Sequence, residues 1–571
     1  MTTNPRDEIK KLLFSFKSIF NSLGVFSFIM NLLMLAPTFY MLQVFDRVIP
    51  SGNEMTLVML SLILIFLFLL YAILEYVRSL IVIRMGNEFE LELNEAVYTA
   101  AFKANLNQVN LNPGQAITDL TTLRQFLTGQ SLFVILDAPW FPINLIIIFL
   151  FNFKVGVFAL VGTLILIILA YCNEKFSKKD LSIASNQYVE ANNLVINNLR
   201  NAEVIEALGM LHNLRNRWRS LHYGYLALQA KASEKSALIG SLTKFTRGIF
   251  QSLVLGVGAY LLLSNELSPG MVIAASILMG RVMSPVEGII GAWKQFDSMR
   301  NAYRRLNLLL NAFPKTVDRM ALPDPIGRLS LEQVTAGPPG SKIATIKNIT
   351  LQISPGDVLG ILGSSGSGKS SLAKLMVGVW PAAVGNVRLD SADLFNWDKV
   401  NLGKFLGYLP QDVELFSGTV SENIARFGKV DPDKVIKASK LAGLHDLILH
   451  LPQGYDTVIT DGGHNLSGGQ RQRIGLARSV YDDPCLVVLD EPNSNADQAG
   501  ELALVELIKS LQQSNQTVVI ITHRTQIIGL TTKLMILHDG VVQLYGPTED
   551  VLSRLKESAE RSPQIQTISN I

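Results

Sequence analysis

Six stretches within the first 300 residues are too apolar to lie on the surface of a water-soluble domain, and they limit what the chain can become. They fall near 24–45, 57–83, 132–152, 155–173, 237–263 and 270–292. Each is long enough, at 1.5 Å per helical residue, to cross a hydrocarbon core of about 30 Å. Over all 571 residues, 49% are hydrophobic and 17% charged, with the apolar residues gathered in the first half. That distribution describes a membrane protein with a water-soluble second half. The net charge of +3 comes with no basic block interleaved with aromatics, so a nucleic-acid role is excluded.

Loop lengths order the six segments. Three connections are short, at 46–55, 153–154 and 264–269, and two are long, at 84–131 and 174–236. The second long connection carries Lys175, Lys178, Lys179, Arg200, Arg215 and further cations, whereas the short ones hold only Arg47 and Lys154. Positive charge gathers on the cytoplasmic side, so the long connections, the N-terminus and the second half are expected there. Arg6, Lys10, Lys11 and Lys17 precede the first apolar run, which has no small-residue cleavage site, so no signal peptide is expected. Both long connections have apolar residues at helical spacing and almost no Gly or Pro. They read as helices that continue out of the membrane, with short crosswise helices at their tips around Pro113–Gly114 and along 201–210. Within the spans, Asp137, Arg281 and Glu287 are costly in lipid, so each either pairs or lines a pathway. Cys172 and Cys485 have no neighbouring ligands and read as small core residues.

A proline-bearing stretch, 311–328, separates this half from one of short β-rich runs alternating with helical ones, the pattern of an α/β domain with a largely parallel sheet and an antiparallel start. In "GDVLGILGSSGSGKSSLAKLMVG", a strand, a Gly-rich loop and a helix follow in order. Gly363, Ser364, Ser365, Gly366, Ser367, Gly368, Lys369, Ser370 and Ser371 form a phosphate loop. Its bare amides wrap phosphate oxygens, Lys369 reaches the β- and γ-phosphates, and the Ser370 hydroxyl is a Mg²⁺ ligand. "CLVVLDEP" is an apolar strand ending in two carboxylates, with Asp490 suited to hold Mg²⁺ through water and Glu491 to polarise an attacking water. His523 follows another strand, where it can touch a γ-phosphate, and Gln411 follows a third, where it can meet Mg²⁺ or the water. A second small-residue cradle, Ser467–Gly468–Gly469, opens a basic amphipathic helix about a hundred residues after the first.

Taken together, the phosphate loop, Gln411, "LSGGQ" (Leu466, Ser467, Gly468, Gly469, Gln470), Asp490–Glu491, "SNAD" (Ser494 to Asp497) and His523 resemble the ATPase of the ABC transporter superfamily. The segments "FYMLQVFDRVIPSGNEMTL", "LDAPWFPI", "NAEVIEALGM" and "SILMGRVMSPVEG" are similar to type I protein-secretion exporters of the protease- and RTX-exporting branch. This resemblance implies a six-helix exporter domain followed by an α/β P-loop ATPase domain. It also implies ATP and Mg²⁺ as cofactors, with catalysis by Glu491, His523 and Gln411 and metal held by Ser370, Gln411 and Asp490. A homodimer is implied, in which each LSGGQ closes on the ATP of the partner's phosphate loop and Ser494 and Asp497 form the D-loop; the second cradle then serves the other chain. The implied partners are a periplasmic adaptor, an outer-membrane channel and a secreted RTX- or protease-like substrate, and the implied location is a bacterial inner membrane. Export of a small molecule, peptide or lipid by the same architecture is the alternative.

Expected boundaries are a short cytoplasmic N-terminus at 1–20, a membrane domain at 21–310, a linker at 311–328, the ATPase at 329–555 and a disordered tail at 556–571. The family's optional N-terminal peptidase-like domain is not expected. "EQVTAGPPGSKI" lacks the aromatic that exporters usually stack on adenine, and Asp461 stands where a Glu usually precedes the signature.

Overall fold

In a bilayer the backbone of an apolar run can hydrogen-bond only within its own segment or in a closed barrel, so long apolar segments become helices. The structure is a computed structural model describing residues 8–107, 113–314, 322–341, 343–463, 465–494 and 498–561. It divides into two units, 1–315 and 316–571.

The first unit is all helix: α1 (Glu8–Ser15), α2 (Lys17–Leu33), α3 (Ala36–Gln43), α4 (Ile49–Ser51), α5 (Glu54–Leu106), α6 (Pro113–Thr128), α7 (Gln130–Asp137), α8 (Phe141–Phe151), α9 (Phe153–Arg200), α10 (Ala202–Ala207), α11 (Leu211–Leu263) and α12 (Pro269–Ala312). Six helical segments among the described residues are long and apolar enough to cross a membrane, matching the six expected. The first is interrupted, with a π-helical turn at Val44–Val48 between α3 and α4. Asn152 alone separates α8 from α9, and its side chain accepts from the Lys154 amide as the N-cap.

The short connections meet one another. Lys154 pairs with Glu266 at 2.8 Å. Asp46 accepts from Ser268 Oγ at 2.5 Å and from the Gly270 amide at 2.7 Å, capping α12 from the end of the first span. At the far ends, α9 and α11 are long helices joined through α10, the crosswise helix expected along 201–210, which Gly209 ends with φ +61°. The other expected tip is different. Residues 108–112 lie outside the described ones, and Pro113 and Gly114 open α6, a sixteen-residue helix that returns along α5 and packs on α12. Its apolar face, Leu120, Leu123 and Leu127, joins a core with Phe89, Leu93 and Leu306, and that burial favours the return over a short crosswise turn. Helix α1 is anchored in the same core by Ile9.

The second unit holds two main sheets. An antiparallel sheet is ordered β2 (Ile346–Ile353), β1 (Leu329–Ala336), β4 (Val384–Leu389), β5 (Ala392–Asp393). The other, mostly parallel, is ordered β12 (Val541–Pro547), β11 (Lys533–His538), β3 (Val358–Leu362), β10 (Thr517–Ile521), β9 (Leu486–Asp490), β6 (Leu406–Leu409). A small pair joins β7 (Gly418–Thr419) to β8 (Val458–Ile459). All five residues of both β9 and β10 are buried, as expected for central parallel strands covered on both faces. Cys485 stands just before β9, donating to the Phe405 carbonyl at 3.4 Å, and burial pushes its thiol up to about 12. It is inert at neutral pH, in keeping with its reading as a core residue.

Candidate active site

Parallel strands deliver side chains to their carboxyl ends, and β3, β6, β9 and β10 all end on one edge of the sheet. From β3 the chain enters the Gly-rich loop and then α13 (Lys369–Met376). The loop's path depends on its glycines. Gly366 and Gly368 have φ of +79° and +101°, and a Cβ on Gly363 would stand 2.3 Å from the Leu537 carbonyl oxygen. Lys369 folds back, its Nζ donating to the carbonyls of Gly363 at 2.8 Å and Ser364 at 2.9 Å. Burial pushes its ammonium down, whereas burial pushes the Asp490 carboxyl up at the tip of β9. A phosphate beside the first and a divalent cation beside the second would each restore the charged form.

The donor set fits Mg²⁺. Asp490 Oδ1 is buried with no hydrogen-bond partner, and Ser370 hydrogen-bonds the same carboxyl. One carboxylate and one hydroxyl, with phosphate oxygens and water, is how Mg²⁺ is usually held. Among the described residues no cluster of three or more His, Cys, Asp or Glu offers a cage of its own.

Next along the chain, Glu491 has φ +50°, an uncommon conformation for a residue with a side chain, and its amide donates to the Ile521 carbonyl at 3.0 Å. Two residues predicted from other strand ends converge on its carboxylate. Gln411 Nε2 donates to Glu491 Oε2 at 3.0 Å, and His523 Nε2 stands 3.9 Å from Oε1. Gln411 thus meets the Glu491 carboxylate through its amide N–H, leaving its carbonyl oxygen to face a cation or a water.

Ser467 is exposed and caps the helix Gly468–Val480. Its Oγ accepts from the Gln470 amide at 3.2 Å, while the Gln470 side chain accepts from the Ser467 amide at 2.9 Å. Leu466 is buried beneath, which fixes the cradle's height on the domain surface. Ser494 follows Glu491 in the same turn, its amide donating to the Glu491 carbonyl at 3.2 Å; Asp497 lies outside the described residues.

One residue of this site was missed in the sequence. Gln472, 5% exposed, donates through Nε2 to the Glu491 carbonyl and to Ser494 Oγ, both at 3.2 Å. It ties the helix behind the second cradle to the backbone of the carboxylate serving the first. The available signal was its place on the inward face of that helix, where a polar residue needs a buried partner.

Comparison with known proteins places the two units in a family. Residues 20–286 match the ABC transporter transmembrane region and 346–494 the ABC transporter domain. The chain is 39% identical to the type I secretion system ATP-binding protein PrsD of Rhizobium meliloti, over 97% of this chain and 96% of that one. It is 27% identical to the cyclolysin secretion/processing ATP-binding protein CyaB of Bordetella pertussis, covering 91% of this chain and 74% of that protein. A bacterial Atm1-family ABC exporter with ATP bound shares the fold, with a TM-score of 0.80 at 19% identity over 94% of this chain and 96% of that one. A nucleotide site, six candidate spans and a full-length relative at this identity together make the chain a member of the ABC transporters, in the group of type I secretion ATP-binding proteins.

Proposed function

We propose that this chain is the permease and ATPase of a type I secretion system, hydrolysing ATP to drive an unfolded protein across the inner membrane of a Gram-negative bacterium. The observation that carries the reading is the convergence of Gln411 and His523 on Glu491 in a chain that also has six candidate spans. In that site the phosphate-loop amides and the Lys369 ammonium hold the β- and γ-phosphates, Lys369 exchanging its two carbonyl partners for phosphate oxygens. The Glu491 carboxylate takes the proton of the attacking water, and the Gln411 amide and His523 hold that carboxylate and the γ-phosphate in line. Ser370 and Asp490 would hold a Mg²⁺ ion, which would supply neutralisation of the developing phosphate charge.

Two copies face head to tail, and the exposed Ser467 cradle of each closes on the other's ATP, with Ser494 and Asp497 as the D-loop. The ATPase and the N-terminus lie in the cytoplasm, residues 21–310 form the membrane domain and 329–555 the ATPase. A periplasmic adaptor and an outer-membrane channel receive an RTX- or protease-like cargo.

Both parts of the reading are testable. In a strain lacking the gene, proteins should vanish from the medium and return with the wild-type chain but not with Glu491→Gln; an unchanged set of secreted proteins sinks protein export. A heterodimer of Lys369→Ala with Ser467→Arg should keep one intact composite site and hydrolyse ATP, whereas each pure mutant should not. A cysteine pair at positions 365 and 467 should crosslink between chains only with nucleotide bound, and an intrachain product sinks the trans arrangement.

A further inference from the structure

Of the three charged span residues visible in the sequence, two find partners. Asp137 accepts from Arg78 at 3.0 Å, and Glu287 pairs with Arg247. Arg281 does not. Its Nε is buried without a hydrogen-bond partner, and no carboxylate lies in ion-pair range among the described residues. It lines a cavity of about 820 Å³ inside the membrane unit, a volume typical of a ligand site. Arg78, Arg247, Glu75 and Asp137 line it as well. The pairing there is uneven: Arg78 has Asp137 and also Glu75 at 3.6 Å, Arg247 has Glu287, and Arg281 has none.

Pro285 sits inside α12 four residues after Arg281, and a proline has no N–H to give the carbonyl of residue i−4. The Gln251 amide stands beside Gly280, one residue before Arg281. The side-chain carboxylate of a passing peptide can meet the Arg281 guanidinium. Neutral polar residues elsewhere on the wall, such as Asn31, Asn144 and Ser284, bond any backbone and select no sequence.

We propose that this cavity receives a carboxylate of a polypeptide in transit, with the Arg281 guanidinium as its counter-charge. The inference rests on the protein-export reading and adds a chemical preference: acidic segments dwell here and neutral ones pass. Low-dielectric walls strengthen the attraction over that in water, so a single charge is enough to discriminate.

The test uses the full-length protein in phosphatidylcholine nanodiscs and two fluorescein-labelled ten-residue peptides, alternating Glu–Gly and alternating Gln–Gly, read by anisotropy. The wild type should bind the Glu peptide at least about tenfold more tightly than the Gln peptide. Equal binding overturns the proposal without need of any variant. Arg281→Gln should weaken the Glu peptide about tenfold and leave the Gln peptide within twofold, and Arg281→Lys should restore most of the difference. If phosphatidylglycerol added to the nanodisc displaces the Glu peptide from wild type, the site takes lipid and the proposal falls. It also falls if Arg281→Gln dissociates the dimer while peptide binding is unchanged, because the counter-ion then comes from the second copy. Peptide binding is read without export. A strain that loses secreted proteins while both peptides bind alike would therefore sink this site and leave the export reading standing.

Discussion

In the nucleotide unit, the charged groups of the site stand at strand ends: Asp490 at the tip of β9, Glu491 one residue on, and His523 two residues after β10. Water and substrate reach them there, and they converge because the sheet ends at one edge. In the membrane unit, Glu287 stands mid-helix and Asp137 at the end of α7, and their partners come from other helices, Arg78 from 59 residues before Asp137 and Arg247 from 40 before Glu287. The first arrangement leaves charge available for a ligand; the second neutralises it within the protein, and Arg281 is where that neutralisation stops. Charge that pairs internally is structural, and charge left open at a cavity or strand end is where chemistry enters.

The largest expected effect is in the nucleotide unit. Glu491→Gln removes the base but leaves the phosphate cradle, so ATP turnover should fall about a hundredfold or more while nucleotide affinity stays near wild type. Retention of more than a tenth of the wild-type rate breaks the assignment of Glu491. Asp137→Ala tests the opposite case. Arg78 is 3% exposed, and removing its nearer carboxylate while Glu75 stays at 3.6 Å should cost about 2 kcal/mol, seen as a lowered melting temperature in detergent. The double variant Arg78→Met with Asp137→Leu should recover most of that loss; if it melts as low as the single variant, the pair is not merely structural. Gln472→Leu removes both hydrogen bonds of its Nε2 and should slow turnover about tenfold, with ATP affinity within twofold. A loss of affinity instead would mean the helix had moved as a whole.

The smallest effect is a pH dependence. Burial holds the Asp490 carboxyl above its ordinary range. The stability it contributes is therefore fully present below the unfolded value of about 4 and is lost as pH rises through the folded value. In Mg²⁺-free buffer, Asp490→Asn should flatten that acid-side decline of melting temperature with pH. A decline of wild-type slope in the variant would assign it to another group.

Legibility in the sequence followed the same divide. The phosphate loop, Gln411, Ser467, Glu491 and His523 could each be read from local order, because a strand followed by a fixed turn leaves a side chain one place to go. Six spans were legible from hydropathy alone. The return of α6 was not: its Leu120, Leu123 and Leu127 face needs α5 and α12 to be seen as a core. Gln472 and Arg78 were missed for a similar reason. Each is defined by a partner distant in sequence, Glu491 for one and Asp137 for the other, and helical periodicity carries no information about which helix lies opposite.

Asp46 bears on how the chain is made. Its carboxylate caps α12 across a sequence separation of 222 to Ser268. At translation rates of about 5–20 residues per second, the first span waits roughly 10–45 seconds before the sixth emerges to meet it. Until then Asp46 has no helix end to cap and stays hydrated at the membrane surface, which keeps the exit of the first span from sinking into lipid. The bond that ties the first span to the last is thus among the last that synthesis allows.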